Sequence, residues 1–179
     1  MHRLCVFAGS RDGARPEYLA ASRELGAAIA RRGWGLVYGG AGVGTMGALA
    51  DAALGAGGEV LGVIPRAMVE REIAHTRVTQ LVVVESMHER KATMHRWANA
   101  FVALPGGFGT LDETFEAITW AQLGLHDKPV AFLDVAGYWG PLAQWIDRAT
   151  RDGFVTPQHA RGVRIERDMG TLLEHLAPR

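Results

Sequence analysis

The sequence predicts an α/β fold in which a doubly wound parallel sheet carries helices on both faces. Short continuous apolar runs, typical of strands buried on both faces of a parallel sheet, alternate with longer segments of helical spacing. The 179 residues are 48% hydrophobic and 21% charged, which suits one globular domain with a sizeable core. Because no repeat, low-complexity tract or linker-like stretch divides the chain, we expect a single domain over residues 1–179.

Each predicted element follows from its local pattern. Uninterrupted apolar runs predict strands at 4–8, 36–38, 60–64, 81–84, 101–104 and 130–133. Apolar residues at helical spacing predict helices at 17–32, 46–55, 87–98, 111–123 and 138–151. An edge strand is predicted within 161–167 and a short last helix at 171–176. In such sheets ligands bind beyond the carboxyl ends of the strands, near the point where strand order reverses.

Composition excludes several classes of protein. Lys and Arg total 19 and Asp and Glu total 19, so no general field attracts nucleic acid or an anionic membrane, and a bound anion needs a local site. The single cysteine, Cys5, excludes an intramolecular disulfide framework and suits a reducing compartment. No signal-peptide layout and no apolar stretch near 18 residues is present, so we expect a soluble cytoplasmic protein.

The first glycine-rich loop, Gly42-Val43-Gly44-Thr45-Met46-Gly47, satisfies the G-x-G-x-x-G pattern of dinucleotide sites. That pattern also requires an acidic residue at the end of the next strand, to hold the ribose. Arg66 follows that strand, and its acid, Glu59, lies at the wrong end. The sequence therefore disfavours NAD. The alternative is that these glycines permit tight turning and close helix–strand packing.

The second loop, Pro105-Gly106-Gly107-Phe108-Gly109-Thr110, ends a predicted buried strand and precedes a predicted helix. Glycine amides and a helix N-terminus can face an anion together at such a junction. No Gly-Lys-Ser/Thr follows, so this is not a Walker A loop. Two glycine loops on one sheet suggest a phosphorylated small molecule held from two sides.

Arg90 occupies an unusual place on its predicted helix. It shares one stripe with Met87, Met94 and Trp97, where a guanidinium is costly unless it meets an anion. A phosphate or carboxylate in the cleft would be that partner. The alternative is an arginine that extends to solvent or pairs with a nearby glutamate. Lys91 follows directly and could grip the same anion only near the helix start.

Glu113 lies three residues beyond Thr110, and Thr-x-x-Glu is also a helix capping box. Ser86-x-x-Glu89 is a second such box, so the pattern alone is not specific. A carboxylate beside an anion loop would repel phosphate, which favours a site that also handles ribose or a developing cation. Glu116 shares the face of Glu113, and Thr119 lies close by.

Other chemistries find little support. The seven histidines form no H-E-x-x-H or Cys-His cluster, so we expect no metal. Ser10 follows Gly9 without a G-x-S-x-G elbow, which disfavours a serine hydrolase. A pyridoxal phosphate enzyme needs a Schiff-base lysine, and Lys91 and Lys128 are the only lysines.

Residues 105–113 resemble the P-G-G-x-G-T-x-x-E signature of the Lonely Guy (LOG) family, and residues 87–94 and 118–130 resemble further family segments. The resemblance covers roughly residues 4–140. It implies a Rossmann-like homodimer that cleaves the N-glycosidic bond of a nucleoside 5′-monophosphate. The products would be ribose 5-phosphate and a free base, adenine or an N6-substituted adenine. No cofactor is implied.

The resemblance assigns catalysis to Arg90 and Glu113, and nucleotide contacts to Glu72, Lys91, Thr119 and residues 107–110. The full set of candidate substrate-binding residues is Ser10, Gly40, Gly42, Glu72, Met87, Arg90, Lys91, Gly106, Gly107, Phe108, Gly109, Thr110, Glu113, Glu116 and Thr119. Two departures from the family pattern, Ala41 for a glycine and Thr45 for a leucine, bear on base preference more than on the chemistry.

Two alternatives to this function stay open. One is a nucleotide-binding or carrier module without catalysis. The presence of both Arg90 and Glu113 argues against that alternative. The other is a nucleosidase of broader specificity for nucleoside 5′-monophosphates. The role of Glu113 is also open. Its carboxylate could stabilise an oxocarbenium-like sugar, activate water or attack covalently.

Overall fold

The computed structural model describes residues 1–69 and 74–178, which contain a seven-stranded sheet with all neighbours parallel. The strands are β1 (Arg3–Phe7), β2 (Gly35–Tyr38), β3 (Val60–Pro65), β4 (Gln80–Val84), β5 (Ala100–Ala103), β6 (Val130–Leu133) and β7 (Val163–Glu166). The helices are α1 (Pro16–Arg31), α2 (Gly44–Gly55), α3 (Met87–Trp97), α4 (Phe108–Gln122), α5 (Gly140–Arg151), α6 (Pro157–Gly162) and α7 (Met169–His175), with a 3₁₀ turn at Arg66–Met68.

Helices cover both faces of the sheet, as predicted. Alternate residues of β1 enter different cores, because successive strand side chains point to opposite faces. Leu4 packs in a cluster with residues of α1, α2 and α7, whereas Cys5 and Phe7 pack in a cluster with residues of α3 and α4. The α/β prediction with a doubly wound parallel sheet is therefore confirmed, and Cys5 is a core residue.

The strand order β4-β3-β2-β1-β5-β6-β7 places the reversal point between β1 and β5. The chain builds the sheet outward from β1 to β4, and then returns to the other side of β1 to form β5. The segments that follow β1 and β5 therefore meet at the carboxyl edge of the sheet, where the sequence predicts a ligand.

One prediction about an individual element is corrected, and one helix was not predicted. The run at 81–84 was expected to be buried on both faces, but β4 is an edge strand and Val83 is 39% exposed. A further short helix, α6, precedes the predicted edge strand β7, and the Thr156 hydroxyl caps it by accepting from the amide of His159 at 3.2 Å.

Across residues 1–69 and 74–178, none of the helices combines the length and apolar character needed to cross a bilayer.

Candidate active site

A cleft of about 700 Å³ opens at the carboxyl ends of β1 and β5. We call it the carboxyl-end cleft. Its walls come from the segments after β1 and β5, from the starts of α2, α3 and α4, and from two tyrosines. The lining residues are Ala8, Gly9, Ser10, Arg11, Asp12, Gly13, Tyr18, Thr45, Met46, Met68, Met87, Arg90, Pro105, Gly106, Gly107, Phe108, Gly109, Thr110, Asp112, Glu113 and Tyr138.

Arg90 is held in this cleft by two backbone carbonyls. Its Nε donates to the oxygen of Val63 at 3.1 Å and its Nη2 to the oxygen of Gly39 at 2.8 Å. The residue is 5% exposed, so the alternative of an arginine extending to solvent is wrong. These two hydrogen bonds fix the position of the guanidinium beside the cleft.

The approach of Arg90 to β2 requires a glycine at position 39. A Cβ atom added to Gly39 would lie 2.1 Å from Arg90 Nη2 and 3.0 Å from the sulfur of Met46. Any larger residue at 39 would therefore displace the guanidinium from the carbonyl that holds it.

Glu113 lies in the cleft wall and is 8% exposed. The capping-box interpretation of this residue is wrong, because α4 begins at Phe108 with Gly107 as its N-cap. Thr110 is thus inside the first turn, where its carbonyl accepts from the Thr114 hydroxyl at 2.6 Å. Ser86, by contrast, does cap α3, since its hydroxyl accepts from the amide of Glu89 at 3.2 Å.

The start of α4 points its amides toward the cleft. In the part of the chain that the structure describes, no side chain caps this end, and the first bond between an amide and the carbonyl four residues earlier runs from Leu111 to Gly107 at 3.2 Å. The amides of Phe108, Gly109 and Thr110 precede that bond. A helix end of this kind attracts an anion through its amides and its dipole.

Two tyrosines that the sequence analysis missed complete the cleft. The Tyr138 hydroxyl donates to the carbonyl of Gly106 at 2.6 Å and so fixes the loop before α4. The rings of Tyr18 and Tyr138 pack edge to face, with their centroids 5.6 Å apart. Arg11 and Asp12 were also missed, although they directly follow Ser10 at the predicted ligand edge. The tyrosines carry no local signal, because only the tertiary fold brings them here.

The glycines of the first loop pack closely against their neighbours, while Thr45 and Met46 line the cleft. Gly44 has φ +64°, and a Cβ there would lie 2.4 Å from the amide nitrogen of Arg11. Thr45, 2% exposed, accepts from the amide of Gly9 at 2.9 Å and donates to its carbonyl at 3.1 Å. The packing interpretation of this loop is confirmed. Gly40 and Gly42 are not in the lining: Gly40 packs on β3, and Gly42 lies against Gly47.

Three other candidate residues lie on the outer side of α3 and α4. Lys91 Nζ donates to Glu116 Oε2 at 2.7 Å and to Asp112 Oδ2 at 3.3 Å. Burial lowers the pKa of Lys91, but these two carboxylates outweigh burial and the pKa is raised. Thr119 and Glu116 line a shallow groove outside the cleft. The structure thus does not bring Lys91, Glu116 or Thr119 into the cleft, and Glu72 lies outside the described residues.

Comparisons with known proteins agree on a family. Residues 46–176 match a family model described as "Possible lysine decarboxylase". The cytokinin riboside 5′-monophosphate phosphoribohydrolase LOG1 of Arabidopsis thaliana is 48% identical over 155 residues, which is 87% of this chain and 73% of that protein. The protein of the same activity named LOG, from Oryza sativa subsp. japonica, is 44% identical over 180 residues, 98% of this chain and 74% of its own.

A solved structure shares the fold. The molybdenum cofactor binding protein of Rippkaea orientalis superposes with a TM-score of 0.72, over 97% of this chain and 94% of that one. Its sequence identity is 23%, so the likeness extends to the fold alone.

Proposed function

This chain belongs to the LOG family of cytokinin riboside 5′-monophosphate phosphoribohydrolases, and we propose that it hydrolyses the N-glycosidic bond of N6-substituted adenosine 5′-monophosphates. The products are a free cytokinin base, or adenine from AMP itself, and ribose 5-phosphate. The observation that carries this proposal is the placement of Arg90 and Glu113 in one cleft with the amide-rich start of α4.

The start of α4 supports binding of the 5′-phosphate. Backbone amides and the helix dipole attract an anion without adding a net charge to the site. Arg90 lines the same cleft and adds guanidinium donors, and two carbonyls fix its orientation. Anchoring the phosphate in this way makes the reaction at the sugar effectively unimolecular.

Glu113 lies one turn beyond Gly109, so a substrate whose phosphate sits at the helix start presents its ribose to this carboxylate. The C1′–N9 bond breaks with build-up of positive charge on the sugar, the base leaves with a proton, and water adds to C1′. A carboxylate beside C1′ stabilises that charge and can also activate water or attack covalently. Each of these roles requires an ionised Glu113 at the ribose.

The decarboxylase description of the family model has no support from the lysines. Lys91 is paired with Glu116 and with Asp112, and Lys128 Nζ donates to the carbonyl of His95 at 2.6 Å. Neither lysine lines the carboxyl-end cleft in the described residues, so neither is placed to form a Schiff base there.

Chromatographic detection of free base tests the proposal. Purified protein is given AMP, N6-isopentenyl-AMP, adenosine or CMP, in parallel with a Glu113→Gln variant. We expect base from the adenosine monophosphates only, and a loss of roughly 10³-fold in Glu113→Gln with nucleotide binding and melting temperature retained. Glu116→Gln is the matched control, because this residue lies one turn further along α4 outside the cleft.

Three outcomes would change the assignment. Nucleotide binding by the wild-type protein without base release would leave a carrier module. Release from CMP at a comparable rate would indicate the broader nucleosidase. Equal loss of stability and activity in Glu113→Gln would return this residue to a structural role.

We also propose a cytoplasmic homodimer that binds no nucleic acid. Apolar side chains are exposed on and after α4, at Phe108 (95%), Leu123 (66%) and Leu125 (67%), and a second copy would cover them. The net charge of zero argues against nucleic acid. Light scattering during size-exclusion chromatography measures the assembly, and a monomer at micromolar concentration would overturn the dimer.

A further inference from the structure

A second cleft, of about 780 Å³, lies at the opposite end of the sheet. We call it the amino-end cleft, because the first residues of β6 and β7, Val130 and Val163, line it. The rest of its lining comes from the end of α4 with the following loop, from α6 and from His175. It shares no residue with the carboxyl-end cleft and is of similar size.

Positive side chains dominate this cleft. Among the described residues that line it, three are lysine or arginine, three are imidazoles and one is a carboxylate: Lys128, Arg161 and Arg164; His126, His159 and His175; and Asp127. The chain as a whole has a net charge of zero, so this excess is local. The lining of the carboxyl-end cleft has the opposite balance, with two arginines against three carboxylates.

Two half-buried groups that line this cleft, His126 and Lys128, lie close together. The amide of Lys128 donates to His126 Nδ1 at 3.2 Å, so the proton of the neutral ring is on Nε2. That Nε2 is buried, with the backbone of Ala117 beside it. Burial and the nearby charge of Lys128 lower the pKa of His126. A bound anion would relieve this accumulation of positive charge.

The cleft also has an apolar side. Ile118, Ala121, Pro129, Val130 and Val163 line it beside the cations. A mixed lining of this kind accepts an organic group next to a charged one. The volume, close to that of the cleft where we place a nucleotide, admits a ligand of nucleotide size.

We propose that the amino-end cleft binds a small organic phosphate carrying at least two phosphate groups. Arg161 and Arg164, both exposed at the rim, grip the phosphates, since guanidinium groups match phosphate oxygens in a bidentate manner. The apolar residues contact the organic part. This site is separate from the catalysis proposed above and does not depend on it.

Calorimetric titration tests the site. Glu113→Gln protein is first saturated with AMP, which occupies the carboxyl-end cleft without turnover, and is then titrated with inorganic pyrophosphate or with ATP. We expect one further site per chain. Replacing both arginines, Arg161→Ala with Arg164→Ala, should weaken that binding at least tenfold. Arg23→Ala with Arg31→Ala, on the exposed side of α1, removes the same charge elsewhere and should change it less than twofold.

The outcomes separate recognition of charge from recognition of a nucleotide. Binding of both probes supports a site that recognises phosphate groups alone. Binding of ATP but not pyrophosphate supports a site that also requires contacts with the apolar lining. Absence of binding at millimolar probe, equal weakening by both double variants, or displacement of AMP by pyrophosphate would overturn the proposal. The single Arg164→Gln variant replaces the double variant if the latter has a lowered melting temperature. Base release enters none of these measurements, and the comparison of the two double variants can be made without AMP. Failure of AMP to bind would count against the function proposed above, whereas equal probe binding by the two double variants would count against this site.

Discussion

The two clefts at opposite ends of the sheet would hold a negative charge by different means. In the carboxyl-end cleft, the amides at the start of α4 and one buried arginine face a wall that also carries Asp12, Asp112 and Glu113. In the amino-end cleft, exposed cations would hold the anion. Among the described residues, the lining of that cleft carries a single carboxylate. A phosphate site that must keep an ionised carboxylate beside it is best built from backbone dipoles, because they bind the anion without neutralising the carboxylate. Net charge alone would have selected the amino-end cleft rather than the cleft where we place catalysis.

The largest expected effect comes from a variant that changes how Arg90 is held in the carboxyl-end cleft. Arg90→Lys keeps the positive charge but cannot reach both the Val63 and Gly39 carbonyls with a planar fork. We expect kcat/KM for N6-isopentenyl-AMP to fall roughly 10³-fold, which corresponds to about 4 kcal/mol. Steady-state kinetics measure this. Near-normal activity in Arg90→Lys would mean that charge suffices and that orientation by the carbonyls is unimportant.

The next largest expected effect is on the pH dependence of stability, and it concerns a buried histidine near the amino-end cleft. His95 is 4% exposed and lies behind His126, with ring centroids 6.0 Å apart. Burial, followed by the charges of His126, Lys128 and Lys91, lowers the pKa of His95 to about 4. Above pH 6.5 the ring is neutral in both the folded and the unfolded chain. As the pH falls from 6.5 to about 4, only the unfolded chain takes up the proton, so the free energy of unfolding decreases.

Replacing His95 by phenylalanine should remove this acid sensitivity. Between pH 7 and pH 4.5 the wild-type protein should lose roughly 2 kcal/mol more of its unfolding free energy than His95→Phe does. Urea denaturation at the two pH values measures the difference, and the variant serves as the baseline for every other titrating group. Parallel pH profiles for the two proteins would place the acid sensitivity elsewhere.

A smaller effect tests how closely β2 must approach Arg90. Gly39→Ala places a methyl group where the guanidinium of Arg90 now lies. The guanidinium must then shift, and it keeps only part of its hydrogen bonding to the carbonyls that hold it. We expect about tenfold lower kcat/KM, equivalent to about 1.4 kcal/mol, with a modest fall in melting temperature. Gly55→Ala is the matched control, because a Cβ at Gly55 meets nothing within 4 Å. Equal behaviour of the two variants would show that Arg90 tolerates displacement.

The smallest expected effect concerns the amino-end cleft and base release. Arg161→Ala with Arg164→Ala should leave kcat and KM within twofold of the wild-type values in the absence of added phosphate compounds. The two clefts share no lining residue, and both arginines are exposed. A large loss in this variant would show that the clefts are coupled and would remove the basis for treating them separately.

Local patterns predicted the strands well, because a strand buried on both faces shows an unbroken apolar run in its own sequence. They failed where the outcome depended on distant neighbours. The run at 81–84 looks like the others, yet its place at the sheet edge is set by strand order and leaves Val83 exposed.

The two Thr/Ser-x-x-Glu patterns make the same point at the site. Ser86 caps α3, but α4 extends back to Phe108. The loop before it packs so closely on the first turn that a Cβ at Gly106 would lie 2.1 Å from Thr110 Oγ1. Motifs correctly indicated Arg90, Glu113 and residues 106–110 as cleft residues. They could not separate Lys91 from Arg90, although a step of about 100° around the helix puts the two side chains on different sides. The role of each of these residues in the reaction stays a prediction.

The two walls of the carboxyl-end cleft should also differ in how they open. The Thr45 hydroxyl holds both the amide and the carbonyl of Gly9, and the Met46 amide donates to the same carbonyl at 3.1 Å. Exchange of the Gly9 amide with solvent deuterium therefore requires α2 and the segment after β1 to separate, which costs several contacts at once. The amides of Phe108, Gly109 and Thr110 need no such separation. In hydrogen exchange, we expect the first wall to be slow with or without nucleotide, and the start of α4 to become slow only when the phosphate is bound.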